Sequence, residues 1–418
     1  MTIKGLKKYL QDKYSHIFKS VSMYKFKGCK IAIDVSGLAY AYWSPQQAAV
    51  VKSSHNIFED LAVNQDPKSS EIVRQIETNW LNSIWSLIKK LLLINITPVM
   101  VFDGTPPKEK GDVIKQRQSD KKDKKDKIDA YVADLLKLHP LMRTAEHMAK
   151  LKEMYTYYNL LSSDQFSLLK LFFNGLGLPV LQAKNEAEEL CCTLCREGYV
   201  SAVFCEDVDC VAHLAPCWIY AKSKKKTLVK ERNEYMEDFE FVLLKDILKV
   251  LKFTPETLID FCIMCGCDYN SNIPNFAVAS SFKALSQLNS IEAMMKSSKH
   301  SNKNFGILNY EECRNLFAKR SYAQCCDKID NELIIDKSCI SSYAEDYLFK
   351  CNMSHAIEVI KFVYDGMPDS IKINFEESPF ADVTEIKTVT LNLEGLPSSA
   401  IVENEIKTLT LDMSKLII

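Results

Sequence analysis

The sequence predicts an α/β fold, a central and mostly parallel sheet flanked by helices, and three observations carry that prediction. Three apolar runs, Lys30-Ile31-Ala32-Ile33-Asp34, Thr97-Pro98-Val99-Met100-Val101-Phe102-Asp103-Gly104 and Tyr199 to Asp209, each read as a buried strand that ends in carboxylates. Helical periodicity lies between the first two, where Trp80, Leu81, Ile84, Leu87, Ile88 and Leu91 recur within Glu77 to Leu93. Strands of this kind bring their ends to one carboxyl edge, where open α/β sheets build their sites.

Composition bounds the answer. The chain has 418 residues, 47% of them hydrophobic, enough for one large domain or two smaller ones. A net charge of −1 does not announce a nucleic-acid partner, so any basic surface is local. No apolar run reaches the ~18 residues of a membrane span, and Met1 to Phe18 lacks the apolar core of a signal peptide. A soluble, intracellular protein is expected, with nucleus and cytoplasm not distinguished. Fifteen cysteines without regular spacing fit a reducing compartment. The groups Cys191, Cys192, Cys195 and Cys262, Cys265, Cys267 lack zinc-ribbon spacing and read as buried free thiols.

In chain order, Met1 to Phe26 reads as a short amphipathic helix and a connector before the first strand, Lys30 to Asp34. A helix begins over Ser36 to Trp43. Residues 44 to 76, with scattered Pro, Asn and Ser, read as a long loop or small insertion. Residues 108 to 127 carry nine basic residues against five acids, a local charge of +4. Such a run is usually a solvated helix or arm, but one beside Asp103 would attract phosphate towards carboxylates that repel it. Helical patterning continues over Tyr131 to Tyr158 and Ser163 to Phe173, and Leu178 to Gln182 is the next strand. Asn185 is expected to cap a helix starting at Glu186, with Glu188 as its capping-box partner. Trp218 to Lys222 and Thr227 to Lys230 suggest two short strands around a basic turn. Thr254-Pro255-Glu256 starts a helix that Gly266 ends, presenting Asp268. Near the end, Glu385 to Leu391 nearly recurs as Glu405 to Leu411 and reads as a terminal β pair.

Asp34, Asp103, the Glu186 to Glu189 and Glu206 to Asp209 segments and Asp268 are therefore expected to supply seven carboxylates to one edge, with no histidine or cysteine ligand. Such an oxygen-rich set selects hard cations such as Mg²⁺ or Mn²⁺. It is too large for one ion. Two ions about 3.5–4 Å apart would clamp the attacking and departing oxygens of a phosphodiester.

Over roughly residues 1 to 295 the chain resembles the flap endonuclease branch of the structure-specific 5′ nucleases. The resemblance rests on Met1-Thr2-Ile3-Lys4-Gly5-Leu6, Ala32-Ile33-Asp34 with Ser36 and Tyr40, and Val101-Phe102-Asp103-Gly104 with Pro106-Pro107. Glu186-Ala187-Glu188, Glu206-Asp207-Val208-Asp209 and Gly266-Cys267-Asp268-Tyr269 complete it. It implies a PIN-like 5′ nuclease fold with a helical arch and a C-terminal extension. It also implies that Asp34, Asp103, Glu186, Glu188, Asp207, Asp209 and Asp268 are the acids that hold two Mg²⁺ or Mn²⁺ ions, that Lys110 and Arg117 contact the scissile phosphate, and that Tyr40 stacks on a terminal base. Lys121, Lys122, Lys124 and Lys125 are expected to attract DNA.

The expected parts are 1–107 and 162–299 as the two pieces of the nuclease core, 108–161 as the arch, and 300–418 as the extension. The implied function is metal-dependent cleavage of DNA at 5′ flaps, nicks or ends in replication, repair or recombination. A 5′ exonuclease, one acting on RNA included, and a non-catalytic DNA-binding or assembly protein are the rivals. The chain departs from the family pattern at Thr2, where a glycine is usual, and at Asn275 and Ala277, which replace the hairpin glycines that grip duplex phosphate, often with a potassium ion. No glutamine-led box for a sliding clamp is recognisable near the C-terminus.

Overall fold

The computed structural model describes residues 3–64, 70–232, 234–274, 276–300, 302–328 and 333–336. Met1, Thr2, Asn275 and the β pair expected over 385–391 and 405–411 lie outside the described residues. The first half runs α1 (Leu6–Tyr14), β1 (Lys19–Ser22), β2 (Lys30–Asp34), α2 (Val35–Ser53), α3 (Glu71–Leu93), β3 (Thr97–Phe102), α4 (Gly111–Lys137), α5 (Ala145–Tyr157) and α6 (Ser163–Gly175). Next come β4 (Val180–Gln182), α7 (Ala187–Arg196), β5 (Ala202–Phe204), α8 (Asp209–Ala212), β6 (Cys217–Val229), β7 (Glu234–Leu243) and α9 (Leu244–Leu251). The last described helices are α10 (Pro255–Cys265), α11 (Val278–Leu288), α12 (Ile291–Lys296), α13 (Tyr310–Phe317) and α14 (Tyr322–Cys325).

The sheet among the described residues has seven strands in the order β1-β7-β6-β5-β2-β3-β4. Strands β4, β3, β2, β5 and β6 are mutually parallel, and β7 and β1 add an antiparallel edge. Because side chains alternate across a strand, β2 sends Ile31 and Ile33 into one core and Ala32 into the other, and β3 and β5 divide likewise. Helices α2, α3, α5 and α6 cover the first face, while α1, α7 and α10 cover the second. Both faces are buried, which is why these strands read as unbroken apolar runs.

Four expectations are corrected. The connector before β2 contains β1, a short edge strand of Lys-Ser-Val-Ser with too little apolar pattern to be seen, held by pairing with β7. Helix α2 does not stop near Trp43, and α3 begins at Glu71 with Ser70 as its cap, so much of 44–76 is helical. Pro45 sits inside α2 and lacks an N–H, yet the helix continues because the following turns bury Gln47, Val50 and Val51. Gln47 explains the need: it accepts from Trp43 Nε1 (2.7 Å) and donates to the carbonyls of Tyr155 (2.8 Å) and Tyr158 (2.7 Å). The C-terminal end of α5 is thereby fixed to α2.

The third correction is that the basic stretch at 222–226 is no hairpin tip. It lies within the single strand β6, whose register against β7 shifts between Lys222 and Lys226. Acidic β7 supplies the partners: Glu237 binds Lys222 at 3.1 Å, and Asp238 accepts from Thr227 Oγ1 at 3.0 Å. Fourth, the capping box predicted for Asn185 and Glu188 does not form. Beyond residue 300, α13 and α14 pack into the second core, and Cys326 bridges to Ala183.

Candidate active site

Parallel β2, β3, β4 and β5 end on one edge, with β2 at the switch point between the two directions of winding. Asp34 closes β2 and caps α2, accepting from the amides of Ser36 (2.9 Å) and Gly37 (3.1 Å). Asp103, one residue past β3, accepts from the Ala187 amide (2.8 Å) and from the Ser36 hydroxyl. It therefore serves the N-terminus of α7, the role expected of Asn185, which instead donates to Glu189 at 3.1 Å. Gly104 makes this possible. Its amide bonds to the Asn185 carbonyl at 2.6 Å, and a β-carbon there would lie 2.1 Å from the Ala183 carbonyl oxygen. Only glycine lets the β4–α7 segment lie so close that Glu186 reaches Asp103's side of the edge.

Glu186 is held from two directions, by Lys110 Nζ on one oxygen and the Tyr269 hydroxyl on the other. Asp268 is buried and receives Arg117 at 2.9 Å and Lys110 at 3.5 Å. Gly266 turns the chain out of α10 with φ +85°, and Asn270 pins the loop through the Cys267 amide and the carbonyls of Ile263 and Leu308. Burial opposes the charge on Lys110, but the adjacent Glu186 outweighs it and holds the ammonium above its ordinary range. Burial, and then Glu186, pushes the Tyr269 phenol up, so it stays a donor.

Past β5, Asp207 lines the cavity, whereas Asp209 lies behind its wall and accepts from the Ile3 amide at 2.9 Å. The Lys4 amide bonds to the Gly266 carbonyl at 3.0 Å, so the N-terminal segment buttresses both acidic loops. Cys205 stands beside the carboxylates expected to form the cluster without sulfur: its Sγ lies 3.5 Å from Asp34 Oδ2 and 4.0 Å from Glu188 Oε1. The cysteines first weighed for zinc, Cys191, Cys192, Cys195, Cys262, Cys265 and Cys267, are buried, and among the described residues none joins such a ligand group.

Burial, then repulsion from Asp103, pushes the Asp34 carboxyl up to about 7. Glu188 rises well above the carboxylate range through burial and then Asp207, and Asp209 rises for the same reasons. A raised carboxyl pKa means that the folded state holds a proton the unfolded chain has lost. Asp34's contribution to the stability of the metal-free protein is therefore expected to be lost as pH rises from about 4 to about 7, by on the order of 2–4 kcal/mol. Urea midpoints across that range check it. Asp34→Asn should flatten the fall, and an unchanged slope would contradict the Asp34 assignment.

These groups surround a cavity of about 1230 Å³ whose wall includes Asp34, Asp103, Glu186, Glu188, Asp207 and Asp268. Lys110, Arg117 and Tyr40 line it as well. Tyr40 is 46% exposed, with its ring 6.0 Å from that of Phe166. Lys121, Lys122, Lys124 and Lys125 are exposed on α4, outside the wall, and Lys125 pairs with Asp129. Sequence reasoning missed Tyr269, Cys205 and Ser36 as members of the site, although all three adjoin motif acids.

The comparisons agree with this geometry. The XPG N-terminal domain matches residues 1–124 and the XPG I-region matches 177–268, together just over half of the chain. Flap endonuclease 1 of Cryptosporidium parvum is 28% identical over 300 residues, 71% of this chain and 56% of that protein, so the chain spans little more than half of that relative. The Naegleria gruberi protein of the same name is 27% identical over 332 residues, 79% of this chain and 76% of its own length. The solved flap endonuclease-1 of Methanococcus jannaschii shares the fold, with TM-score 0.50 and 18% identity over 85% of this chain and 99% of that one. Among the described residues no helix is long and apolar enough to cross a membrane. With both regions matched over just over half of the chain and their acids gathered at one sheet edge, the chain belongs to the family of the XPG N-terminal domain and XPG I-region.

Proposed function

We propose that the protein cleaves DNA at 5′ flaps or 5′ ends, leaving a 5′-phosphate, with two Mg²⁺ or Mn²⁺ ions held by Asp34, Asp103, Glu186, Glu188, Asp207, Asp209 and Asp268. The observation that carries this reading is the meeting of six of these acids with Lys110 and Arg117 in one cavity. The donor set fits hard cations, because burial and mutual repulsion burden Asp34 and Glu188 in a way that divalent charge would relieve. Held by these residues, such ions would supply stabilisation of the charge that develops on a reacting phosphodiester.

The chain's own residues do the rest. Lys110 and Arg117 neutralise Glu186 and Asp268 in the metal-free protein. With those carboxylates engaged by a cation, Lys110 and Arg117 would be free to bind the scissile phosphate and stabilise developing charge there. Tyr40, half-exposed at the cavity, offers a face for a terminal base. Residues 108–161 are read as the arch, 1–107 and 162–299 as the core, and 300–418 as an extension whose described helices α13 and α14 pack against that core. The roles fit DNA replication, repair or recombination, without a recognisable sliding-clamp box.

The test is a panel of end-labelled 5′-flap, nicked, blunt and single-stranded DNAs, with RNA as a further arm, cut by purified protein in Mg²⁺. Preferred cutting near the flap junction supports the reading; stepwise release from 5′ ends alone favours the exonuclease, and no cutting favours the binding protein. Neutralising Lys121, Lys122, Lys124 and Lys125 should weaken binding and flatten its salt dependence by up to about 0.7–0.9 slope units per lost phosphate contact. The single-turnover rate at saturating enzyme should stay unchanged. A rate loss with an unchanged salt slope would contradict an electrostatic arm.

A further inference from the structure

We propose that Asp34, Glu188 and Cys205 form a mixed carboxylate and thiolate cation site that favours zinc-like metals over magnesium. The inference rests on the metal-centre reading above and adds to it a ligand outside the seven acids. One oxygen of each carboxylate and Cys205 Sγ lie within 4.8 Å of one another. A point can then be placed within about 2.8 Å of all three, against zinc distances of about 2.3 Å to sulfur and about 2.0–2.2 Å to oxygen. A contraction of roughly 0.5 Å at sulfur and roughly 0.6–0.8 Å at each oxygen closes the site.

Cys205 is built into this position. It is 3% exposed and follows β5 directly, and its carbonyl accepts from Trp218 Nε1 at 2.7 Å. The Asp207 amide donates to Sγ at 3.4 Å, which fixes where the sulfur points. A cation entering here displaces the thiol proton to water and gains a bond to sulfur. Oxygen ligands alone suit magnesium and manganese, whereas a thiolate shifts preference towards zinc, cobalt and cadmium. The site shares Asp34 and Glu188 with the proposed catalytic ions, so zinc bound there competes with them, and low zinc should depress cleavage supported by excess magnesium.

The test is a Co²⁺ titration of the metal-free protein read by absorption, since visible ligand-field bands report binding and a near-ultraviolet charge-transfer band reports a thiolate ligand. Wild type should give both. Cys205→Ser, checked for folding by circular dichroism, should keep the visible bands, lose the charge-transfer band and bind Zn²⁺ at least about tenfold more weakly by calorimetry. Visible bands without charge transfer in wild type would overturn the thiolate ligand and leave the metal centre standing. Charge transfer of equal strength in Cys205→Ser would overturn it too, by assigning the sulfur elsewhere. No cobalt spectrum in wild type would remove the metal centre itself, and this inference with it.

Discussion

Asp207→Asn is expected to remove cleavage, by at least about 10³-fold in single-turnover rate, while the protein stays folded and still binds DNA. The substitution keeps the shape of the side chain and deletes one charge from a cavity where Asp207 is a leading source of the repulsion that lifts Glu188 and Asp209. Metal ions at such a centre supply several kcal/mol of transition-state stabilisation, and each 1.36 kcal/mol is about tenfold in rate. Relief of repulsion acts the other way on stability, so the metal-free variant should melt at or above the wild-type temperature. Wild-type cleavage in Mg²⁺ together with normal melting would remove Asp207 from the chemistry.

Lys110→Ala should cost about 10²–10³ in the same rate, the typical loss for one preorganised donor to developing charge. It differs from a mere loss of attraction because Lys110 is largely enclosed and already engages Glu186 and Asp268. Saturating the enzyme with DNA should not rescue it. The variant should also bind divalent ions more tightly, since Glu186 loses the ammonium that competes with a cation, and calorimetric titration with Mn²⁺ reads that separately. Arg117→Ala should share the rate defect, but Arg117 is more exposed, so its effect on ion affinity should be smaller. Full single-turnover rates in both variants would reduce the whole basic run at 108–127 to an electrostatic arm.

Much of this site was legible in the sequence because its acids follow strands buried on both faces. Such strands leave unbroken apolar runs, so Asp34, Asp103 and Asp207 announce their edge without any knowledge of the partners. What was hidden depends on contacts far apart in the chain. Asp103 serves the helix that begins 84 residues later, and nothing local to Asn185 reveals that the cap is already supplied. Tyr269 meets Glu186 across 83 residues and Cys205 meets Asp34 across 171, so neither contact leaves a periodicity to read. Pro45 is an error of the opposite kind, in which a strong local signal yields to burial: the turns carrying Gln47, Val50 and Val51 are needed to hold the C-terminal end of α5 against α2. The lysines of β6 misled similarly, because a charged strand is stable when its neighbour supplies Glu237 and Asp238.

The most direct measurement is a crystal of the protein soaked in Mn²⁺ and recorded at the manganese absorption edge. Two anomalous peaks about 3.5–4 Å apart, ringed by Asp34, Asp103, Glu186, Glu188, Asp207 and Asp268 with Lys110 withdrawn from Glu186, are the result predicted here. A cavity without manganese, or a single ion with Lys110 still bound to Glu186, would contradict a two-ion centre.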